Sequence, residues 1–261
     1  MATLIAHLVI GERVSAQMQD LRSSAPVYGA FLLGCLLVDA NHVSTLTRRQ
    51  THFVTLSEGK GSIAPEGSCT AFLEGLDSLL LRRWSRLTKP ERAFVAEYLC
   101  HLATDEAWLA VSRTLLQEIG LQTWHDLPVP SEAMLVTFNL LSQDLFEDFP
   151  AVTSILKAGA IPSVFSHVPH AVLQKTWRAA QPYVLAGGSL ASYLTLLESR
   201  GKSRAKIESV RQDVSRYRNE TAALIERAGG VEPFIGTAVE RAAHLVPRLC
   251  ASSLIPNTGG Y

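Results

Sequence analysis

The sequence lacks an excess of charge of either sign. It contains 24 lysine and arginine residues against 24 aspartate and glutamate residues, so its formal net charge at pH 7 is zero. A broad nucleic-acid-binding surface requires a basic excess. The composition therefore gives no strong signal for a nucleic-acid partner.

Long apolar runs are also absent. The longest, Val27 to Val38, contains 12 residues, which is too short to cross a bilayer and is typical of a buried helix. The residues after Met1 include no basic segment and no cleavage-like site of the kind that a secretory signal has. We therefore expect a cytoplasmic protein without a transmembrane segment.

Cysteine is scarce and scattered. The four cysteines form no C-x-x-C pair and are far apart in the chain, so they do not predict a disulfide framework. Apolar residues make up 47% of the chain and charged residues 18%, which is typical of a compact globular protein. A chain of 261 residues has room for one large domain or two small ones.

No segment alternates apolar and polar residues with the period of a β-strand, so the predicted fold class is all-α. Helices are predicted at Ala2–Gln19, Val27–Val38, Cys69–Arg83, Leu87–Ile119, Ser131 to about Leu156, His170–Val184, Ser189–Ser199, Ser203–Ala228 and Val231–Leu249. The segment Ser23–Pro26 should separate the first two of these helices. Ser131 is expected to cap its helix, and Pro150 to kink or split it.

Two features divide the chain. Leu127-Pro128-Val129-Pro130 is a candidate linker, which predicts a helical core at 1–128 and a helical extension at 129–261 packed on it, or one continuous domain. Within 203–228, apolar residues alternate by three and four like a coiled-coil seam, which predicts an antiparallel hairpin with the following helix. Packing inside the chain is the expected role of this seam. A homo-oligomer through the C-terminal helices is the alternative.

The stretch Leu87 to Leu116 organises the chain. It opens with a capping box, Thr88-Lys89-Pro90-Glu91, and Gly120 marks its expected end. His101 and Asp105 are four residues apart and therefore lie on one face of this helix. An imidazole and a carboxylate among apolar side chains need a partner, because an unpaired buried charge is costly. A bound cation is one solution, and a hydrogen-bonded core pair is the other.

Polar residues also interrupt other apolar segments in the first half of the chain. The candidate ligands are His7, Asp39, His52, His101 and Asp105. Three imidazoles and two carboxylates suit a divalent transition metal, with zinc, iron and manganese all compatible. The alternatives are that His7 is exposed and that Asp39 caps a turn with Asn41 and His42. Glu97, one turn before His101, is either a group that orients the ligand or an exposed glutamate.

Three stretches resemble the zinc-dependent phospholipase C family, whose relatives include zinc-dependent single-strand nucleases. They are Gly34-Cys35-Leu36-Leu37-Val38-Asp39, Thr51-His52 and Tyr98-Leu99-Cys100-His101-Leu102-Ala103-Thr104-Asp105. The resemblance covers roughly residues 5 to 110. It implies a multi-helix bundle with an additional C-terminal helical part.

The resemblance also implies a chemistry. Such an enzyme cleaves a phosphoester through a metal-bound hydroxide. Asp39, His52, His101 and Asp105 would hold one zinc ion, and Asp105 would bridge to a second ion that His7 also binds. The family's counterpart of Asp39 acts as general base, which makes Asp39 the implied catalytic residue.

The sequence departs from the family at several positions. Met1-Ala2 cannot supply the N-terminal tryptophan that completes the family's second metal site, and Trp108 stands near the position of a further histidine. His125, with Glu132 or Asp126 near it, could be a later histidine. We therefore expect one or two zinc ions and no third. Glu97, His42 and His125 are candidates for groups that support the metal ligands without binding the metal themselves.

The sequence thus favours a metal-dependent hydrolase acting on a small-molecule or lipid phosphoester. The alternative class is a non-catalytic helical scaffold that keeps a structural or vestigial metal and works through residues 129–261. A third hypothesis, with less support, is a mono-iron or di-iron oxidative enzyme, because helical His/Asp sites also hold iron.

Overall fold

The computed structural model describes residues 3–42, 44–53, 67–75, 84–118, 120, 126–165 and 168–252. Over these ranges the protein is all-helical, as predicted, with 11 α-helices, three 3-10 segments and no strand. The α-helices are α1 (Leu4–Gln17), α2 (Ala25–Leu37), α3 (Arg48–His52), α4 (Ser68–Gly75), α5 (Lys89–Glu118), α6 (Ser131–Gln143), α7 (Phe149–Ala158), α8 (His170–Leu185), α9 (Leu190–Ser199), α10 (Arg204–Arg227) and α11 (Glu232–Ser252). The 3-10 segments are Gln19–Arg22, Val38–His42 and Trp84–Arg86.

Helices α2 and α5 form the centre of the core. All residues of α2 from Val27 onward are buried, which explains why its sequence is apolar on every side. The helices approach closely at Gly34, where a Cβ would lie 2.6 Å from the carbonyl oxygen of Phe94. Helix α1 packs on both α2 and α5. This three-helix contact brings together the segments that carry the candidate ligands.

The predicted start and end of α5 are confirmed. The hydroxyl and the backbone N–H of Thr88 both donate to the Glu91 carboxylate, at 2.8 and 2.7 Å, which is the expected capping box. The helix runs to Glu118, and Gly120 has a φ of +75°. A positive φ suits glycine, so Gly120 ends the helix as predicted.

Three predictions about helix ends were wrong in detail. Ala25 and Pro26 do not break the chain but form the first turn of α2, since proline is tolerated where no backbone donor is needed. Pro150 likewise lies in the first turn of α7, and the split from α6 occurs at residues 144–148. Pro130 rather than Ser131 occupies the cap position of α6.

The predicted antiparallel hairpin between α10 and α11 was also wrong. Helix α10 packs mainly along α6, and α11 packs mainly along α5 and α1. The apolar seam of α10, which includes Ile207, Val210 and Val214, is buried, but against a helix distant in sequence. Periodicity identified the buried face and could not identify the helix that covers it.

One hydrophobic cluster contains side chains from both halves of the chain, from Leu4 to Leu249. The predicted boundary near residue 128 stays a prediction. Among the described helices, none has the length and apolar character needed to span a membrane. The predicted helix Cys69–Arg83 is described as far as Gly75, and its remainder lies outside the described residues.

Candidate metal centre

Four segments bring the five predicted ligands together. Helix α1 carries His7, and the 3-10 turn after α2 carries Asp39. Helix α3 ends at His52. Helix α5 supplies both His101 and Asp105. The hydrogen bond from the Ile5 backbone N–H to the Asn139 side chain, at 3.3 Å, anchors the first turn of α1 to α6 and thereby helps to position His7.

The side-chain atoms of the five residues converge on a small volume. His52 Nε2 lies 3.3 Å from Asp39 Oδ1 and 3.7 Å from Asp105 Oδ2. His101 Nε2 is 4.0 Å from the same Asp105 oxygen. His7 Nε2 is 3.7 Å from the other oxygen, Asp105 Oδ1. The Asp105 carboxylate therefore faces one imidazole, that of His7, with Oδ1 and two imidazoles, those of His52 and His101, with Oδ2.

Two overlapping sets of residues have the spacing of metal ligands. In the set of His7, His101 and Asp105, one ligand atom from each residue lies within 4.8 Å of the others, and the same holds for Asp39, His52 and His101. The rings of His7 and His101 are stacked, with centroids 3.8 Å apart and planes at 3°. Three imidazoles and two carboxylates form a donor set that suits zinc, iron or manganese.

The hydrogen bonding of these atoms fits a bound cation. Asp39 Oδ1, His52 Nε2 and His101 Nε2 are buried and have no hydrogen-bond partner among the described residues. Buried polar atoms are nearly always paired, so a group of unpaired ones calls for an explanation. The three atoms point toward one another without the alignment of hydrogen bonds. A shared cation would satisfy all of them.

The other ring nitrogens of His101 and His52 are held by protein groups, whereas His7 Nδ1 is buried without a hydrogen-bond partner among the described residues. His101 Nδ1 lies 2.5 Å from the carbonyl oxygen of Cys35, and His52 Nδ1 lies 2.8 Å from the Thr51 hydroxyl. A backbone carbonyl can only accept, so His101 Nδ1 carries the proton and Nε2 keeps its lone pair for a ligand. This arrangement is typical of metal-binding histidines.

The electrostatics favour the neutral forms of His7 and His101 and the ionised forms of Asp39 and Asp105. Burial lowers the pKa of His7 and His101, and the His101 charge lowers that of His7 further. Burial alone would raise the pKa of Asp39, but the imidazoles of His42 and His52 hold it well below its usual value. The imidazoles of His101 and His7 likewise keep the pKa of Asp105 low despite burial. Metal ligands require these protonation states.

Arg48 belongs to the cluster, although it was not among the predicted residues. Its Nη2 donates to Asp105 Oδ2 at 2.8 Å. The signal that could have found it is Thr47-Arg48-Arg49-Gln50, a capping box in which Thr47 and Gln50 exchange hydrogen bonds. Recognising this start of α3 would have placed Arg48 one turn before His52, on the same face of the helix.

The remaining candidates have different environments. His42 Nε2 lies 3.5 Å from Asp39 Oδ1, and its side chain is 29% exposed. Glu97 is fully buried, so the exposed alternative was wrong. Its carboxylate makes no hydrogen bond to His101, whose Nδ1 is held by Cys35 instead. His125 lies outside the described residues.

The cluster approaches solvent along one edge. The side chains of His7, His52 and His101 are 1% exposed and that of Asp105 is 5% exposed. Asp39 and Arg48 are 13% and 18% exposed. A small molecule would therefore meet Asp39, His42 and Arg48 first.

No protein-family model matches the chain, and no curated protein or solved structure matches it either. The resemblance to the zinc-dependent phospholipase C family therefore rests on the three motifs alone.

Proposed function

We propose that this protein is a metal-dependent hydrolase of phosphoesters that uses one or two divalent cations, zinc in the first place. One observation carries the proposal. Five histidine and aspartate side chains from four segments converge, and three of the atoms that face one another, Asp39 Oδ1, His52 Nε2 and His101 Nε2, have no hydrogen-bond partner among the described residues. A hydrogen-bonded core pair of His101 and Asp105 would not explain why Asp39, His52 and His7 join them.

The ligand assignment follows from which atoms face one another. Asp39, His52, His101 and Asp105 would hold the first cation, with Asp105 acting through Oδ2. A second cation would contact His7 and Asp105 Oδ1. The agreement of this set with the motif-based expectation supports a fold of the phospholipase C type, which stays part of the proposal.

A divalent cation in this centre would polarise phosphoryl oxygens and lower the pKa of a bound water. The Asp39 side chain is 13% exposed and that of Asp105 is 5% exposed, so Asp39 is the carboxylate of the centre that an attacking water would reach first. This position, together with the role that the family resemblance implies, makes Asp39 the proposed general base. The substrate is a small-molecule or lipid phosphoester.

The test is hydrolysis of a phosphodiester, a phosphomonoester and a short-chain phosphatidylcholine by the full chain. We expect turnover of at least one, its loss on chelation and its recovery with zinc. Asp39→Asn should lower kcat by about 100-fold or more, the usual contribution of a general base. His244→Ala, on the exposed face of α11, is the matched control and should retain full activity. No turnover of any phosphoester by the metal-loaded chain would contradict the proposal.

A second candidate function is a helical scaffold with a structural metal, as structural sites have all their ligands closed off. The deep burial of His7, His52 and His101 favours this alternative. It predicts that the metal stabilises the fold while no phosphoester is hydrolysed. Selective retention of iron in place of zinc would instead favour the oxidative alternative.

A further inference from the structure

Arg48 contacts the carboxylate that links the two halves of the metal centre. The guanidinium lies 2.8 Å from Asp105 Oδ2, closer than any imidazole nitrogen lies to either carboxylate of the centre. The Arg48 side chain also extends to the exposed edge. It is therefore both a partner of a ligand and a group that an incoming molecule can reach.

The charges of the centre show what the guanidinium adds. Asp39 and Asp105 supply two carboxylates to the centre, and a metal takes histidines as neutral imidazoles, so one divalent cation only balances the two carboxylates. Arg48 then leaves the centre with a single net positive charge. Phosphate esters are anionic, so this charge favours their binding.

The two metal positions are unequally equipped. Each candidate set contains three residues and the two share His101, but Asp105 Oδ2 also lies 3.7 Å from His52 Nε2. If one ion took both shared residues together with Asp39 and His52, His7 would be the one unshared ligand left for a second ion. A guanidinium is always charged and binds phosphate oxygens through paired N–H groups. Arginine can therefore supply the charge that a second ion provides in two-metal phosphoryl chemistry.

We propose that Arg48 is a phosphate-binding residue of this centre, with its guanidinium acting beside one metal ion in place of a second. The inference rests on the proposed function. While it holds Asp105, Arg48 also contacts an oxygen of the phosphoryl group at the exposed edge. The chain would then need a single tightly bound ion to bind its substrate.

The experiment is calorimetric titration of inorganic phosphate into the zinc-loaded full chain after free zinc has been removed. We expect one zinc ion per chain and saturable phosphate binding. Arg48→Gln should keep its zinc and bind phosphate at least about tenfold more weakly, the loss expected for a charged hydrogen bond. Arg48→Lys keeps the positive charge but loses the paired N–H groups of the guanidinium. Its phosphate affinity should lie between those of the wild type and Arg48→Gln.

Arg49→Gln is the matched control, because Arg49 is the next residue of α3 and is exposed. It should bind phosphate like the wild type. Equal phosphate binding by the Arg48→Gln and wild-type chains overturns the inference, as does loss of zinc from Arg48→Gln, which would make Arg48 only a support for Asp105. Absence of phosphate binding by the zinc-loaded wild type overturns it too. If the wild type binds no zinc, the proposed function itself fails.

A measurement on the wild type covers the case in which neither Arg48 variant folds. The guanidinium Nε–H signal of Arg48 in the NMR spectrum of the zinc-loaded chain should shift as phosphate is added. An unmoved signal at saturating phosphate overturns the inference.

Discussion

At the scale of single residues, Glu97 is the polar group whose burial most needs explanation. The side chain is fully buried, and its carboxylate oxygens have no conventional partner among the described residues. Gly11 and Gly34 leave the space it occupies, since a Cβ at Gly34 would lie 2.9 Å from the Glu97 Cβ. Burial raises its pKa well above the usual value, and the thiols of Cys100 and Cys35 are its polar neighbours.

The raised pKa predicts a pH dependence of stability. The folded state holds the Glu97 proton more tightly than the unfolded state, so wild-type stability falls as the pH rises above the unfolded pKa. The slope is at most about 1.4 kcal/mol per pH unit from this group. Glu97→Gln should remove this slope and be more stable than the wild type at pH 7. Urea unfolding of both chains between pH 5 and pH 8 measures the difference.

Glu220→Gln is the control for this series, because Glu220 is exposed on α10. Its stability should follow the wild-type curve. A constant difference in stability between wild type and Glu97→Gln across the pH range would show that the buried carboxyl does not hold its proton, and the prediction would be wrong.

At the same scale, the sequence predicted which polar residues would converge but not what surrounds them. Asp39, His52 and the His101/Asp105 pair stood out because each interrupts an apolar segment or matches a short motif. Arg48 did not stand out, since an arginine in the polar stretch before His52 is ordinary by composition. Its role depends on a contact with Asp105, which is 57 residues away.

At the scale of helices, the contact of α2 with α5 sets the position of three candidate ligands. Asp39 follows α2, while His101 and Asp105 lie on α5. The close approach at Gly34 allows the Cys35 carbonyl to reach His101 Nδ1 at 2.5 Å. A change in the spacing between these helices should therefore alter both stability and metal binding.

Gly34→Ala tests this contact. Its Cβ would lie 2.6 Å from the Phe94 carbonyl oxygen, and backbone cannot move aside as a flexible side chain can. We expect a loss of about 1–3 kcal/mol in the free energy of unfolding, with weaker zinc binding. Thermal denaturation and zinc titration give the two readings.

Gly236→Ala is a matched glycine change in the interior of α11, where a Cβ would have nothing within 4 Å. Alanine favours helix more than glycine does, so this change should stabilise the chain by about 0.5–1 kcal/mol. Destabilisation of similar size by both changes would mean that the close approach of α2 and α5 is not what matters at Gly34.

Helix prediction succeeded where the signals are local. The capping box at Thr88 and the glycine at position 120 fixed α5 within a residue or two. Helix α3 was missed because its five residues are too few to show an apolar period. The prediction that α10 pairs with α11 failed for another reason. A row of apolar residues shows which face of a helix is buried but not which helix will cover it.

At the scale of the whole molecule, Glu106 links α11 to α5, the helix that carries His101 and Asp105 of the candidate metal centre. Its side chain is 2% exposed and pairs with Arg241 on α11. The same carboxylate accepts the backbone N–H groups of Gly67 and Cys69, at 3.2 and 2.9 Å. Three parts of the chain therefore meet at the residue next to Asp105.

Arg241→Gln should destabilise the molecule, because it removes the charge that faces a buried carboxylate. Arg241 is itself 48% exposed, so solvent screens part of the interaction and the expected loss is about 1–3 kcal/mol. Arg13→Gln is the comparison, because it breaks an exposed ion pair with Glu232, which lies on α11 like Arg241. It should lower the free energy of unfolding by less than about 1 kcal/mol. If urea unfolding showed the same loss of stability for both variants, burial of Glu106 would not strengthen its ion pair with Arg241.

The central claim is that the five converging side chains hold a metal ion. It is tested most directly by the metal content of the purified full chain, after reconstitution with zinc, iron or manganese and removal of the excess. We predict one or two equivalents in the wild type and in His244→Ala, and background levels in His101→Ala and Asp105→Ala. A wild-type chain without metal, or variants that retain it fully, would contradict the claim.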